Sequence, residues 1–175
     1  MPRPLRFLAV AIAAAAMLAV PLSAAAAPAS TTFTVTGFEY AFTPAVGFFA
    51  GSAIGNAGER GAWNTHVEHD RLGSEPPIYV TGGSFRMATR GSAGAYDWVT
   101  GTFVYHGGTI TTIDPGAGCT NQRYLVTGTL ENVSTRTTAG GSGTFSVTLT
   151  HYRAPVLGRC ITYSASVAGT VSFQY

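Results

Sequence analysis

The stretch ITYSASVAGTVSFQY (Ile161–Tyr175) carries the clearest structural signal in the 175-residue chain. Its odd-numbered positions are mostly apolar or aromatic, and its even-numbered positions are mostly small and polar. Successive side chains of a strand point to opposite faces of a sheet, so this period of two predicts a half-buried β-strand. A straight strand of this length would span about 50 Å. Since that is too long for a domain of this size, we expect a bend at Gly169.

The same alternation recurs through most of the chain. Residues 143–153 form the preceding predicted strand, and residues Ala154–Arg159 are predicted to be a hairpin loop because they include Pro and Gly. Further strands are predicted near 32–42, 78–89, 96–106, 109–113 and 121–133, with another candidate at 45–54. The pattern predicts an all-β fold, an antiparallel up-and-down meander of seven or eight strands that closes into a small barrel. A β-sandwich is the alternative.

A glycine stands once in nearly every predicted strand, in the strings VTGF, VTGGSF, VTGTF, VTGTL, GSGTF and VAGTV. Glycine lets a strand bend sharply, as the closure of a small barrel requires. The alternative is that these glycines admit a ligand against bare backbone.

The N-terminal segment has the three parts of a secretory signal. Arg3 and Arg6 precede an apolar run over residues 7–22, and small residues with Ala-x-Ala spacing follow it. We therefore predict a signal peptide over 1–27 and one secreted, extracellular domain over 28–175. A retained membrane anchor is the alternative, but the run is short for a span of about 20 residues. The mature form is predicted to have no membrane partner.

Charge argues against a nucleic-acid partner. The chain has ten basic and eight acidic residues. Removal of Arg3 and Arg6 would leave eight of each, with no basic run for a phosphate backbone. All the basic residues are arginine, so lysine chemistry such as Schiff-base formation is excluded.

Two cysteines, Cys119 and Cys160, are present. In an exported chain a single structural disulfide is the default expectation.

Two glycine-rich strings resemble a known family. The stretch TGGSFRMATRG at 81–91 resembles the Gly-Gly-x-Gly-x-Phe…Ala-x-Gly segment of the dirigent and allene oxide cyclase β-barrels, and AGGSGTF at 139–145 resembles its first half. The first string lacks the third glycine and the second lacks the trailing Ala-x-Gly. The resemblance implies an eight-stranded barrel with an apolar central cavity. It carries over no catalytic position.

The string HVEHD concentrates titratable groups in a charge-poor chain. If this segment is extended, His66, Glu68 and Asp70 share one face, whereas a helical turn would group His66, His69 and Asp70. Either set offers nitrogen and oxygen ligands to a divalent metal, and acid–base catalysis is a further alternative. The favoured interpretation is a solvated loop within 51–77, bounded by Gly and Pro.

The apolar face of one predicted strand indicates a second candidate site, for a ligand. The apolar face of 143–153 continues into His151 and Arg153. If this face points inward, a ring of polar and aromatic side chains would surround one mouth of the barrel. The candidate ligand-binding residues are His151, Arg153, Tyr105, Tyr163, Tyr175 and Trp98.

The sequence has no Gly-x-Ser-x-Gly elbow and no phosphate-binding Gly-x-x-x-x-Gly-Lys loop. No cofactor is predicted, and the oligomeric state is left open.

The favoured function is a secreted, non-enzymatic barrel that binds a small apolar or aromatic molecule in its interior. The alternatives are a barrel isomerase or cyclase of the resembled type, and a carbohydrate- or protein-binding module that uses the 51–77 segment.

Overall fold

Eight antiparallel strands form one sheet that closes on itself in the computed structural model, which describes residues 30–71, 76–91 and 94–175. Each strand pairs with its neighbours in chain order, and the first pairs with the last. The predicted up-and-down barrel is confirmed, and the sandwich is not formed. The predicted signal peptide lies outside the described residues. The strands are β1 (Ser30–Thr43), β2 (Val46–Gly55), β3 (Arg60–His69), β4 (Ile78–Arg90), β5 (Tyr96–Asp114), β6 (Gln122–Thr135), β7 (Gly141–Val156) and β8 (Arg159–Gln174).

Alternation in β8 explains why this sequence forms a barrel wall. Val167, Val171 and Phe173 are buried inside, and the intervening Thr170 and Ser172 belong to the polar outer face. Because most strands present one apolar face, closing the sheet removes those faces from water, and pairing with β8 leaves no unpaired edge along Ser30–Phe38 of β1. No described residue belongs to a helix with the length and apolar character needed to cross a membrane.

Three sequence expectations about element bounds are wrong. Most of the predicted 51–77 loop is strand, namely the end of β2 and all of β3. The two strands predicted at 96–106 and 109–113 are one strand, β5, with irregular pairing between Phe103 and Gly108. The loop predicted at 154–159 is only the turn Leu157–Gly158, because both residues have positive φ (49° and 75°), which suits a tight hairpin.

The two ends of the barrel differ. At one end, here called the mouth, lie the connections β1–β2, β3–β4, β5–β6 and β7–β8, whereas Ser30 and Gln174 pair at the opposite end. The opposite end is filled by a group of buried apolar side chains, here called the plug. The plug comprises Phe33, Ala53, Met87, Val99, Val133 and Phe173.

The barrel wall has a seam at the mouth. Pairing between β1 and β8 ends at Phe38–Ser166, after which β1 pairs only with β2, and β8 only with β7. Beyond Tyr152, β7 and β8 therefore continue as a two-stranded arm. The predicted disulfide Cys119–Cys160 is present and ties this arm to the β5–β6 connection.

Glycines permit close approach between neighbouring strands. Gly37 lies opposite Gly51 in the β1–β2 pair, and a Cβ on Gly37 would meet the Trp63 ring at 2.7 Å. Protein atoms, not open space, thus occupy the position where that side chain would be. No glycine is among the described residues that line the interior cavity, so the structure gives no support to glycines that admit a ligand.

Candidate functional site

The barrel encloses a cavity of about 540 Å³ between the plug and the mouth. Phe42 lines the cavity and is 67% exposed, so the cavity reaches the surface at the mouth. The wall is mainly aromatic and aliphatic. Its apolar residues are Val35, Phe42, Phe49, Trp63, Val67, Phe85, Phe103, Ile110, Val126, Leu130, Phe145, Val147, Leu149, Val167 and Val171.

Trp63 shows how the wall is kept rigid. Its indole Nε1–H donates a hydrogen bond of 2.9 Å to the Ser52 carbonyl, and its ring stacks on Phe85 at a centroid distance of 6.2 Å. The polar atom of this tryptophan is thus satisfied within the wall, and the ring offers only an apolar surface.

Polar side chains collect at the mouth end of the cavity. They are Glu39, Thr43, His69, Gln122, Tyr124, His151 and Thr162. This distribution gives the cavity an apolar floor and a polar rim.

Glu39 and His151 form the most buried polar pair of this rim. The Glu39 Oε2 and His151 Nε2 atoms are 3.4 Å apart, and the two side chains are 8% and 14% exposed. Glu39 is the first residue of β1 beyond the seam, and His151 lies opposite Ala165 of β8. The pair therefore spans the point where β1 and β8 separate.

His69 supplies a second imidazole to the cavity. Its Nδ1 lies 2.7 Å from the Asp70 carbonyl oxygen. A carbonyl can only accept, so the His69 Nδ1–H donates this hydrogen bond and fixes the orientation of the ring at the cavity wall.

Tyr124 packs edge-on against His151, with ring centroids 5.3 Å apart. Burial raises the pKa of the Tyr124 phenol above its ordinary value of 10.0, and the Arg153 guanidinium partly offsets this by lowering the pKa. The phenol is therefore a neutral hydrogen-bond donor at physiological pH.

This raised pKa predicts a loss of stability in alkali. Above pH 10 the unfolded chain releases the Tyr124 proton while the folded protein still holds it, so stability falls as pH rises through the folded pKa. The Tyr124→Phe variant should lose less stability over this range in urea unfolding, whereas Tyr105→Phe, at a site 69% exposed, should behave as wild type. Identical alkaline profiles for wild type and Tyr124→Phe would contradict the assignment.

The six predicted ligand-binding residues are not brought together. Only His151 lines the cavity. Arg153 instead donates from Nη1 to the Gly116 carbonyl at 3.2 Å, which holds the arm against the β5–β6 connection. Tyr175 lies at the plug end, where its hydroxyl donates to Thr31 Oγ1 at 3.3 Å.

The expected inward orientation of the other three is wrong. Tyr105 and Tyr163 are 69% and 68% exposed because each lies where strand pairing is irregular: Tyr105 falls between Phe103 and Gly108, and Tyr163 is skipped in the pairing of β7 with β8. Trp98 is 43% exposed and lines a separate hollow on the outer wall.

The HVEHD residues are also divided, here by the wall of the barrel. His66 and Glu68 lie 3.7 Å apart on the outer face, where Ser84 and Phe48 contact the His66 ring. His69 lies inside, and Asp70 Oδ2 accepts a hydrogen bond from the Tyr79 amide. Within 30–71, 76–91 and 94–175, no three His, Cys, Asp or Glu side chains are placed to hold a metal ion. The predicted grouping of these four ligands is therefore not formed.

Sequence reasoning did not select Glu39, Gln122 or Tyr124 as site residues. A signal existed for Glu39, because it continues the odd-numbered series Phe33, Val35, Gly37 and so places a carboxylate on an apolar strand face.

Comparison of the chain with models of protein families, with curated proteins and with solved structures found no match.

Proposed function

We propose that this protein binds one small apolar molecule inside the barrel and releases it chemically unchanged. The observation that carries this proposal is the cavity of about 540 Å³, which the plug closes at one end and which opens to the surface at the mouth. Ligand sites of known proteins occupy roughly 300–1,000 Å³ and combine apolar walls with a few polar groups that orient the ligand.

The cavity wall supplies the binding energy in this proposal. Transfer of an apolar molecule from water to a wall of aromatic and aliphatic side chains is favourable. The polar rim then orients whichever end of the ligand lies nearest the mouth. The disulfide and the signal-like sequence of residues 1–27 support a site of action outside the cell.

Filling the cavity should weaken binding. Val126 lines it from β6, so the variant Val126→Phe places a phenyl ring in the ligand space and should weaken binding of the neutral probe N-phenyl-1-naphthylamine at least about tenfold. Probe fluorescence measures the change. The matched control Ser146→Phe adds a ring to the exposed outer face and should leave affinity unchanged. Equal affinity in both variants would show that the probe binds outside the cavity.

An isomerase or cyclase is the second candidate, favoured by the buried Glu39–His151 pair, since a carboxylate and an imidazole in an apolar site can act as acid and base. Extraction of the bound molecule separates the two functions. Recovery of unchanged ligand supports a binding protein, whereas conversion that stops in the His151→Ala variant supports the enzyme.

The structure gives no support to a carbohydrate- or protein-binding module built on a 51–77 loop. The 51–77 segment is mainly wall strand, and its inward residues Trp63, Thr65 and Val67 face the cavity.

A further inference from the structure

The buried carboxylate of Glu39 lacks a strong polar partner. Among the described residues its side chain makes no hydrogen bond, and the imidazole beside it is that of His151, whose Nε2 lies 3.4 Å from Glu39 Oε2. Charge-assisted hydrogen bonds are usually 2.7–2.9 Å long. His151 Nε2 is itself buried and has no hydrogen-bond partner. Burial of the His151 nitrogen without a partner costs free energy, which a ligand group between it and the Glu39 carboxylate would recover.

The charges around the cavity restrict what that ligand group can be. Glu39 is the one carboxylate among the described lining residues, and no arginine or lysine lines the cavity. Arg153, the nearest cation in sequence to His151, is directed to the Gly116 carbonyl. A ligand carboxylate at the rim would thus meet Glu39 without a guanidinium or ammonium group to balance it.

A donor group fits the same place well. An ammonium group can donate one N–H to the Glu39 carboxylate and another to an unprotonated His151 Nε2, and a hydroxyl group can donate to the carboxylate and accept from a protonated Nε2. Phe49 lies opposite Glu39 on β2, and Tyr124 packs on His151, so aromatic rings flank the position.

We infer that the ligand of this cavity is an apolar amine or alcohol whose head group sits between Glu39 and His151, and that the cavity discriminates against the corresponding carboxylic acid. This inference rests on the proposed binding function, and it names the class of ligand.

Three ligands with the same tail test the inference. Decylamine, 1-decanol and decanoic acid compete for the cavity with N-phenyl-1-naphthylamine at neutral pH. The amine should bind at least about tenfold more tightly than the acid, with the alcohol between them. All three should bind the filled variant Val126→Phe at least about tenfold more weakly than they bind the wild type.

The variant Glu39→Gln keeps the shape of the side chain and removes its charge. It should reduce the preference for amine over acid to within about threefold. The control Glu131→Gln removes the same charge from an exposed site on β6 and should keep the wild-type ranking. The ranking measured on the wild type tests the inference even if Glu39→Gln fails to fold.

The outcomes separate the two proposals. Displacement of the probe by all three ligands with equal affinity, or tighter binding of the acid, overturns the head-group inference and leaves cavity binding standing. A ranking that persists in Glu39→Gln also overturns it, because Glu39 would not be the cause. Failure of every ligand and of the probe to bind overturns both.

Discussion

Replacement of Phe173 by alanine is expected to lower the free energy of unfolding by about 3–5 kcal/mol. Phe173 is 0% exposed, and its ring contacts Phe33 and Phe85 at centroid distances of 6.1 and 5.7 Å. The neighbouring strands are held by barrel closure and cannot collapse into the space that the ring leaves. The variant would thus lose both the burial of the ring and the packing around it.

Urea unfolding of the variant measures this loss. The control Phe38→Ala removes the same ring from an outer-wall site on β1 that is 54% exposed, and it should cost less than about 1 kcal/mol. A loss for Phe173→Ala as small as that of the control would show that the plug does not hold the barrel closed.

Removal of the disulfide is expected to cost about 4 kcal/mol in the chain-entropy description. Cys119 and Cys160 are 41 positions apart, so their bond restricts a long loop of the unfolded chain. The double variant Cys119→Ser/Cys160→Ser should unfold at a lower urea concentration than the oxidised wild type. Wild type treated with a reductant should approach the variant, and the reductant should not change the variant. A reductant effect of similar size in both proteins would contradict the assignment of the stability to this bond.

The fold could be predicted because the strands that carry it have one strongly apolar face. The alternation in β8 and in much of β7 reflects a position between the core and solvent, and such strands in sequence order indicate a meander.

β3 was not predicted to be a strand because its inner face lines the cavity rather than the packed core. The cavity-lining residues of that face are Trp63, Thr65, Val67 and His69. Thr65 is satisfied by donation to the Ser84 carbonyl at 2.6 Å, and His69 by the Asp70 carbonyl. Because a cavity wall tolerates polar groups that a dry core would exclude, the alternation of hydrophobicity is lost where the site is built.

The predicted ring of ligand-binding side chains at the mouth was wrong for a different reason. A period of two places side chains correctly only while strand pairing is regular, and one extra residue moves all later side chains to the other face. The pairing of β7 with β8 skips Tyr163, so that Thr162 lines the cavity and Tyr163 is exposed. A single sequence contains no signal for the position of such a bulge when neither neighbour is glycine.

The pairing of Ser30 with Gln174 fixes the direction in which the cavity faces. Any segment that precedes Ser30 or follows Tyr175 joins the barrel at the plug end, a full strand length from the mouth. An affinity tag or surface attachment at either terminus would therefore hold the molecule with its opening turned away from the support. Under the proposed binding function, immobilised protein should take up ligand as readily as protein free in solution, because attachment at either terminus leaves the mouth unobstructed.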